Sequence, residues 1–204
     1  MVDLFGEEIK PVRPQSSKKV FSTLGASSHS VFDREHHDLY CTQPEAVEML
    51  LEIEDFSHRI LEPCCGLGHI SEVLRVYGHK VESRDKYDYG YGIPNCDFLM
   101  SQEKNLEMDI ITNPPYKDSI AYVRKALEII AEGHKVAMFL RLAFAEGKER
   151  RQFFREYPPV RVWVSSSRLT CGKNGIEWNP SAVAYSWWIW IKGYKGSTTM
   201  KWFN

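Results

Sequence analysis

Short apolar runs alternate with helical stripes of apolar residues along the chain from residue 59 onward. Stripes spaced i, i+3, i+4, i+7 predict helices, and the apolar runs between them predict buried strands. This alternation is typical of parallel βαβ units, so it predicts an α/β fold, a doubly wound and mostly parallel sheet with helices on both faces. The predicted strands are residues 59–65, 80–84, 108–112, 135–140, 160–164 and 182–191, with a short one near 96–99.

The predicted helices lie between these strands and carry recognisable end signals. The first is expected to begin with Thr42 as its N-cap and Pro44 in its first turn. Further helices are predicted near residues 70–77, 120–130 and 148–157. No helical stripe separates 160–164 from 182–191, so we expect these last two strands to form an antiparallel hairpin at one edge of the sheet.

Composition is that of an ordinary folded domain, with an extension before it. Of the 204 residues, 43% are apolar and 26% are charged, which is typical of a globular chain. Residues 1–35 show no period of 2 or 3.6 and contain Pro11, Pro14 and a Ser-rich patch, which predicts an extended or mobile arm. A single domain is expected over residues 36–204.

The sequence carries no signal for a membrane, a disulfide framework or a metal. The longest apolar stretch, 182–191, is about half the length of a membrane span, and the N-terminus does not resemble a signal peptide. The five cysteines include no Cys-x-x-Cys pair. We therefore expect a cytoplasmic protein without a bound metal.

The segment Glu62-Pro63-Cys64-Cys65-Gly66-Leu67-Gly68 lies between a predicted strand and a predicted helix. Glycines there allow close approach of a ligand to the backbone, and the helix N-terminus favours an anionic group. A dinucleotide site would require a third glycine where Ser71 stands. Asp85, at the next strand end, is placed to accept both hydroxyls of a ribose. The alternative is packing glycines beside a solvated aspartate.

The chain Asn113-Pro114-Pro115-Tyr116 follows the strand predicted at 108–112. Two prolines end the strand and delay the next helix, which leaves a stiff loop with an amide, carbonyl acceptors and an aromatic ring. Such a loop suits a planar substrate with an amino group. Taken alone, it is equally consistent with an ordinary strand-to-helix turn.

The order of these motifs resembles that of S-adenosylmethionine-dependent N6-adenine DNA methyltransferases. An aromatic-x-Thr-x-Pro element at Tyr40 is followed by Glu-Pro-x-x-Gly-x-Gly, an acidic strand end and Asn-Pro-Pro-Tyr. The match is closest to the gamma-ordered branch and to small phage or prophage members, and it covers about residues 38–191. It implies a Rossmann-like class I fold with a seven-stranded sheet.

The resemblance also implies which residues bind the cofactor, S-adenosylmethionine. The methionine part, the ribose and the adenine ring would each have their own contacts, with Asp85 on the ribose hydroxyls and Asp97 and Phe98 on the adenine. The full implied set is Tyr40, Thr42, Pro44, Glu62, Cys64, Gly66, Gly68, Asp85, Asp97 and Phe98. Cys64 and Cys65 are interpreted as a buried strand end and not as a covalent nucleophile.

By the same resemblance, Asn113, Pro114, Pro115 and Tyr116 form the catalytic loop. The Asn113 oxygen and the Pro114 carbonyl would accept the two hydrogens of adenine N6, which favours a nitrogen lone pair directed at the methyl group. Tyr116 would stack on a base flipped out of the duplex. A second stacking ring is expected among Phe144, Trp178 and Trp187.

Positive charge is concentrated in residues 141–173. Eight basic and three acidic residues give +5 there, against a net charge of −1 for the whole chain. Contacts to DNA phosphates are the expected role, and a solvated helix face is the alternative. The expected nucleic-acid contacts are Arg141, Lys148, Arg150, Arg151, Arg168 and Lys173.

We expect the chain to depart from the family pattern, because the predicted domain includes no separate target-recognition domain. Site selection would then come from the arm, from the tyrosine-rich loop around 87–91, from the loop at 165–180 or from a protein partner. Three functions remain open: methylation of adenine N6 in DNA, methylation of another planar nitrogen in RNA or a protein glutamine, and a non-catalytic module that binds a nucleotide or S-adenosylmethionine.

Overall fold

A computed structural model describes residues 39–167, 169, 171–173 and 183–203 of the chain. The predicted arm over residues 1–35, Arg168 and Trp178 lie outside this part, as do the side chains of residues 171–173. The strands are β1 Tyr40–Thr42, β2 Arg59–Glu62, β3 Lys80–Ser83, β4 Asp109–Thr112, β5 Lys135–Arg141, β6 Arg161–Ser165, β7 Cys171–Lys173, β8 Tyr185–Ile191 and β9 Thr199–Phe203. The α-helices are α1 Pro44–Ile53, α2 His69–Val76, α3 Ser119–Ile129 and α4 Lys148–Glu156.

Seven strands form one mixed sheet in the order β3-β2-β4-β5-β8-β6-β9. All neighbouring pairs are parallel except the two that involve β8, so β8 alone runs against the others. Strands β1 and β7 form a separate antiparallel pair. The predicted fold class, an α/β doubly wound and mostly parallel sheet, is confirmed.

The helices cover both faces of the sheet because successive side chains of each strand point to opposite faces. Ile111 and Phe139 pack on one face with Leu50 of α1 and Leu74 of α2. The other face of β4 and β5 packs against α3 and α4, through residues that include Ile110, Met138, Val123 and Phe153. Both layers are buried, which explains the near-continuous apolar runs of β4 and β5.

Two local predictions were wrong. The segment 96–99 forms a 3₁₀ turn, Phe98–Met100, because the Asp97 side chain accepts a hydrogen bond from the Leu99 amide and caps the turn. Thr42 ends β1 and does not cap α1; Gln43 holds the cap position, and its side chain makes no capping hydrogen bond to the helix.

The pairing of the last two predicted strands is confirmed, but its place in the sheet is different. β6 pairs antiparallel with β8, and β8 also pairs with β5. A further strand, β9, runs parallel to β6 and forms the edge of the sheet. Four of its five residues are exposed, so the apolar pattern that identified the buried strands is missing from β9.

Candidate active site

The carboxyl ends of the parallel strands bring the predicted site residues to one edge of the sheet. Gly66 follows β2, Asp85 follows β3, Asn113 follows β4 and Arg141 ends β5. In doubly wound folds, ligands bind at this edge, where helices on opposite faces diverge. The fold therefore brings these predicted residues together, although Gly66 and Arg141 are 75 positions apart in the chain.

The glycine turn after β2 is tied directly to the end of β3. Gly66 and Gly68 have φ angles of 50° and 88°, in the left-handed region that favours glycine. The Gly66 amide donates to Asp85 Oδ2 at 2.9 Å, and the Tyr87 amide donates to Asp85 Oδ1 at 2.9 Å. Asp85 therefore fixes the shape of the turn, besides being the predicted ligand of ribose hydroxyls.

The tyrosine-rich loop closes over one side of the glycine turn. A Cβ atom added to Gly68 would collide with the Tyr91 ring. The Tyr91 hydroxyl donates to Glu72 Oε1 at 2.5 Å, and Arg75 donates to the same hydroxyl. The absence of a side chain at Gly68 thus has a packing reason in this chain, and Tyr91 is anchored on α2.

Glu62 is the most deeply buried carboxyl group near this turn. It is 1% exposed and accepts a hydrogen bond from the Ser71 hydroxyl. Burial raises its pKa to about 8, with nearby Asp85 acting in the same direction. The side chain is therefore mostly neutral at pH 7, and a cationic ligand beside it would favour its ionised form.

The two cysteines after β2 are poor nucleophiles. Burial raises the pKa of Cys64 far above its usual value and that of Cys65 to about 12. Both remain thiols at neutral pH, which agrees with neither being a nucleophile, although β2 ends at Glu62, so that both lie in the turn after the strand and not at its predicted end.

Asp97 and Phe98 line a pocket of about 200 Å³ together with Pro63, Arg84 and Met100. Phe98 is 5% exposed and stacks on Tyr122, with 5.7 Å between the ring centroids, so this contact restricts the position of its ring. Asp97 Oδ2 forms an ion pair with Lys86 Nζ at 2.9 Å. This volume is smaller than that of sites that enclose a whole drug-sized ligand.

Asn113 is held by β1, a contact that the sequence analysis did not anticipate. Its Nδ2 atom donates to the Tyr40 carbonyl oxygen at 2.9 Å and to Thr42 Oγ1 at 3.0 Å. A carbonyl oxygen only accepts hydrogen bonds, so the nitrogen end of the amide must face Tyr40. Oδ1, which is shielded from solvent, is consequently the end that points away from Tyr40.

Tyr116 lies among two tyrosines and an arginine. Its ring centroid is 5.6 Å from that of Tyr40 and 5.9 Å from that of Tyr185. The guanidinium carbon of Arg141 lies over the Tyr116 ring, 4.7 Å from the centroid. This distance is within the range of a cation–π interaction. Arg141, predicted to contact phosphates, thus reaches the catalytic loop.

A groove of about 640 Å³ begins at Tyr116 and runs between the N-terminal ends of α3 and α4. Its lining includes the basic residues Lys117, Arg124, Lys148 and Arg150, with Phe144 among the apolar ones. The Arg150 guanidinium carbon lies 4.8 Å from the Phe144 ring centroid. The predicted contacts Lys148 and Arg150 therefore share one concave surface with Tyr116.

The candidates for a second stacking ring have different outcomes. Trp187 is fully buried, and its Nε1 donates to the Ala46 carbonyl oxygen at 2.7 Å, so it is part of the core and cannot stack on a base. Phe144 is 4% exposed but lines the groove. Trp178 lies outside the described residues.

Some predicted nucleic-acid contacts do not lie in the groove. Arg151 is exposed on α4 and is absent from the groove lining. Arg168 and the side chain of Lys173 lie outside the described part of the chain.

Within the described part of the chain, no group of three His, Cys, Asp or Glu residues could hold a metal, and no helix is long and apolar enough to cross a membrane.

Several solved structures with similar folds are described as methyltransferases. A type I restriction-modification system methyltransferase subunit from Streptococcus thermophilus matches with a TM-score of 0.61 and 13% identity, over 82% of this chain and 48% of its own. A putative RNA methyltransferase from Pyrococcus horikoshii matches with a TM-score of 0.56 and 13% identity, over 88% of this chain and 99% of its own. A putative class I S-adenosylmethionine-dependent methyltransferase from Listeria monocytogenes matches with a TM-score of 0.55 and 12% identity, over 90% of this chain and 71% of its own. The fold is that of class I methyltransferases.

At these identities the likeness establishes the fold alone. No protein-family model matches the chain, and no curated protein matches its sequence. The chain spans about half of the restriction-modification subunit, 48% of its length. The site of this methyltransferase fold must therefore be interpreted from its own residues.

Two residues of the site were missed by the sequence analysis. Lys117 follows directly after Asn-Pro-Pro-Tyr and lines the groove, a position that the sequence itself could have suggested. Tyr185 lies on β8 and packs beside Tyr116, 5.9 Å between ring centroids. No local signal identifies Tyr185, because only the antiparallel pairing of β8 with β5 brings it to this edge.

Proposed function

We propose that this protein transfers a methyl group from S-adenosylmethionine to the exocyclic N6 amine of adenine in DNA. The observation that carries the proposal is the orientation of Asn113, whose amide nitrogen faces β1 at 2.9 and 3.0 Å, so that its oxygen is the end turned from β1. An exocyclic amine has two N–H donors, and an oxygen acceptor is what it requires.

The residues around the glycine turn fit the proposed cofactor. S-adenosylmethionine supplies, when bound, a methyl group on a positively charged sulfur. The pKa of Glu62 is about 8, so its ionised form is disfavoured in the protein alone. A neighbouring cation would stabilise that form, because the buried negative charge would then be compensated. The pocket beside Asp97 and Phe98 suits the adenine ring, and the amide groups at the start of α2 suit a carboxylate.

The catalytic loop then acts on the target amine by orientation. The lone pair of adenine N6 is delocalised into the ring, which makes the nitrogen a poor nucleophile. Asn113 Oδ1 and the Pro114 carbonyl oxygen accept its two hydrogens and so favour a lone pair directed out of the ring plane. Acceptors fixed before the reaction cost no reorganisation in the transition state. Tyr116 holds the ring by stacking.

DNA is favoured as the substrate by the groove that begins at Tyr116. Lys117, Lys148 and Arg150 line it, and such side chains contact backbone phosphates while an adjacent base is flipped out. The likeness to a restriction-modification subunit agrees with DNA and with a protein partner that would select the sequence. The likeness to a putative RNA methyltransferase keeps RNA as the second candidate.

The test is mass spectrometry of nucleosides after the protein and S-adenosylmethionine are incubated with DNA and, separately, with RNA. We expect N6-methyladenine in DNA. Asn113→Ala is the control: its turnover should fall by at least 10²-fold, as when one fixed transition-state contact is removed, while calorimetry shows unchanged cofactor affinity. Product in RNA alone would establish the second candidate, and cofactor binding with product in neither would refute the proposal.

A further inference from the structure

The amide of Asn113 has one preferred orientation because the Tyr40 carbonyl, which can only accept, lies on one side of it. Nδ2 donates to the Tyr40 carbonyl at 2.9 Å and to Thr42 Oγ1 at 3.0 Å, so both contacts hold the nitrogen end in place. If the amide turned by 180°, the bond to Tyr40 would be lost and Oδ1 would face its carbonyl oxygen, while the Thr42 hydroxyl would have to donate instead of accept. A turned amide would also present N–H donors to an amine that is itself a donor. The activity of the loop therefore depends on which way this amide points.

Only one of the two contacts comes from a side chain. Tyr40 contributes its backbone carbonyl, which any residue at that position would retain. Thr42 contributes its hydroxyl and is 2% exposed, so water does not replace the hydroxyl easily. The hydroxyl of Thr42 is consequently the component of this contact that the sequence determines.

Strand β1 is well supported for such a role. It pairs with β7, with Thr42 opposite Cys171 and Tyr40 opposite Lys173. Just before the strand, Leu39 packs on the glycine turn, since a Cβ atom added to Gly66 would stand 2.8 Å from Leu39 Cδ1. The same short segment thus touches both the proposed cofactor turn and the catalytic amide.

We propose that Thr42 is a positioning residue for the Asn113 amide and not a ligand of the methyl donor. This inference rests on the proposed function and differs from what the family resemblance implies for Thr42. A ligand of the donor would change the affinity for S-adenosylmethionine when substituted. A positioning residue changes the rate of the bound complex, because it acts on an interaction made in the transition state.

The experiment compares Thr42→Val with Thr42→Ser. Valine has nearly the shape of threonine but lacks the acceptor, whereas serine keeps the acceptor and loses only a methyl group. We expect Thr42→Val to lower kcat by about tenfold, the effect of one lost hydrogen bond, with the Kd for S-adenosylmethionine unchanged within about twofold. Thr42→Ser should retain most of the wild-type kcat. A weaker Kd with an unchanged kcat would overturn the inference.

A second measurement does not depend on activity. The side-chain ¹⁵N–H₂ signals of Asn113, assigned by their loss in Asn113→Asp, should exchange slowly with water in the wild-type protein and in Thr42→Ser. In Thr42→Val the exchange should be about tenfold faster or more, because one hydrogen bond that protects the amide is missing. Equal exchange in all three proteins would overturn the inference. If the wild type methylates neither DNA nor RNA but the exchange rates differ as expected, the positioning contact stands and the proposed substrate is wrong.

Discussion

Two buried glutamates near opposite ends of the parallel strands have opposite electrostatic environments. Glu54, at the end of α1, lies near the amino ends of β5 and β6, whereas Glu62 lies at the carboxyl end of β2. They are 5% and 1% exposed, so burial alone would disfavour the charged form of both. Their different surroundings reveal how the two edges of the sheet are used.

Glu54 is surrounded by compensating donors. It accepts hydrogen bonds from both Arg161 Nε and Nη2, from Trp163 Nε1 at 2.9 Å and from Lys135 Nζ at 3.0 Å. Burial would raise its pKa, but these bonds together outweigh burial and hold the pKa below its ordinary value. Glu54 is therefore ionised and joins α1 to β5 and β6.

Glu62 has no comparable compensation among the residues that set its pKa. The Ser71 hydroxyl is its main hydrogen-bond partner, and the charge of Asp85 opposes its ionisation. Its pKa rises to about 8. A buried carboxyl group left in this state is typical of a ligand site, where a charge arrives with the ligand.

The two ends of β4 repeat the same contrast. Asp109, at the amino end, accepts hydrogen bonds from the Ser57 amide at 2.6 Å, from the Lys135 amide at 2.8 Å and from His134 Nδ1 at 2.8 Å. Asn113, just beyond the carboxyl end, uses its nitrogen for support and turns its oxygen elsewhere. The carboxylate at the amino edge of the sheet is held by hydrogen bonds within the protein, and the proposed groups for binding and chemistry lie at the carboxyl edge.

The largest effect is expected from substituting the paired glutamate. Glu54→Gln should lower the free energy of unfolding at pH 7 by about 3 kcal/mol, because it leaves Arg161 and Lys135 without their buried counter-charge. Glu62→Gln should instead raise it at pH 7, since glutamine resembles the neutral carboxyl group and, unlike glutamate, does not stabilise the unfolded chain by ionising there. Urea unfolding followed by fluorescence measures both. Equal losses in the two variants would contradict the contrast.

The pH dependence should distinguish the same two residues. The pKa of Glu54 is lowered on folding, so its contribution is present above its unfolded pKa of about 4.5 and is lost as pH falls through the folded pKa. The pKa of Glu62 is raised, so its contribution to stability is fully present below 4.5 and is lost as pH rises to about 8. Relative to Glu62→Gln, the wild type should therefore lose stability between pH 5 and 8.

A further prediction concerns the protonation of Glu62 when the cofactor binds. A cation beside this carboxyl group lowers its pKa, so binding of S-adenosylmethionine at pH 7 should release close to one proton. Calorimetry in two buffers with different ionisation enthalpies measures the number of protons. Glu62→Gln is the matched control and should release almost none. Equal release by wild type and variant would show that Glu62 does not sense the ligand.

The smallest effect is expected from the exposed cations at the carboxyl edge. Lys117 and Lys148 line the groove, whereas Arg151 and Arg155 are exposed on α4 outside it. Lys117→Ala with Lys148→Ala should reduce the slope of log K against log salt concentration by about 2 for duplex DNA, as expected for two lost phosphate contacts. Arg151→Ala with Arg155→Ala removes the same charge. If both double variants change the slope equally, the DNA does not bind specifically along the groove.

Much of the fold and part of the site could be predicted from local patterns. Strands β2, β4 and β5 and helix α3 were found because periodic apolar residues reveal which face is buried. Strand β9 was missed since its residues are largely exposed. Thr42 was predicted to cap α1 because of its position before Pro44, although its hydroxyl accepts from Asn113 instead. Short-range signals could not show this competing partner.

The sequence by itself determined where the chemistry lies along the chain. Two prolines after Asn113 must end β4, and glycines after β2 must open a turn, whatever surrounds them. Only the tertiary structure decided how the side chains of these groups are oriented and which of them are ionised. The orientation of Asn113 depends on Tyr40 and Thr42, 73 and 71 residues earlier, and the pKa of Glu62 depends on burial and on Asp85. Hydrogen bonds and charges act through space, so their partners are known only once the chain is folded.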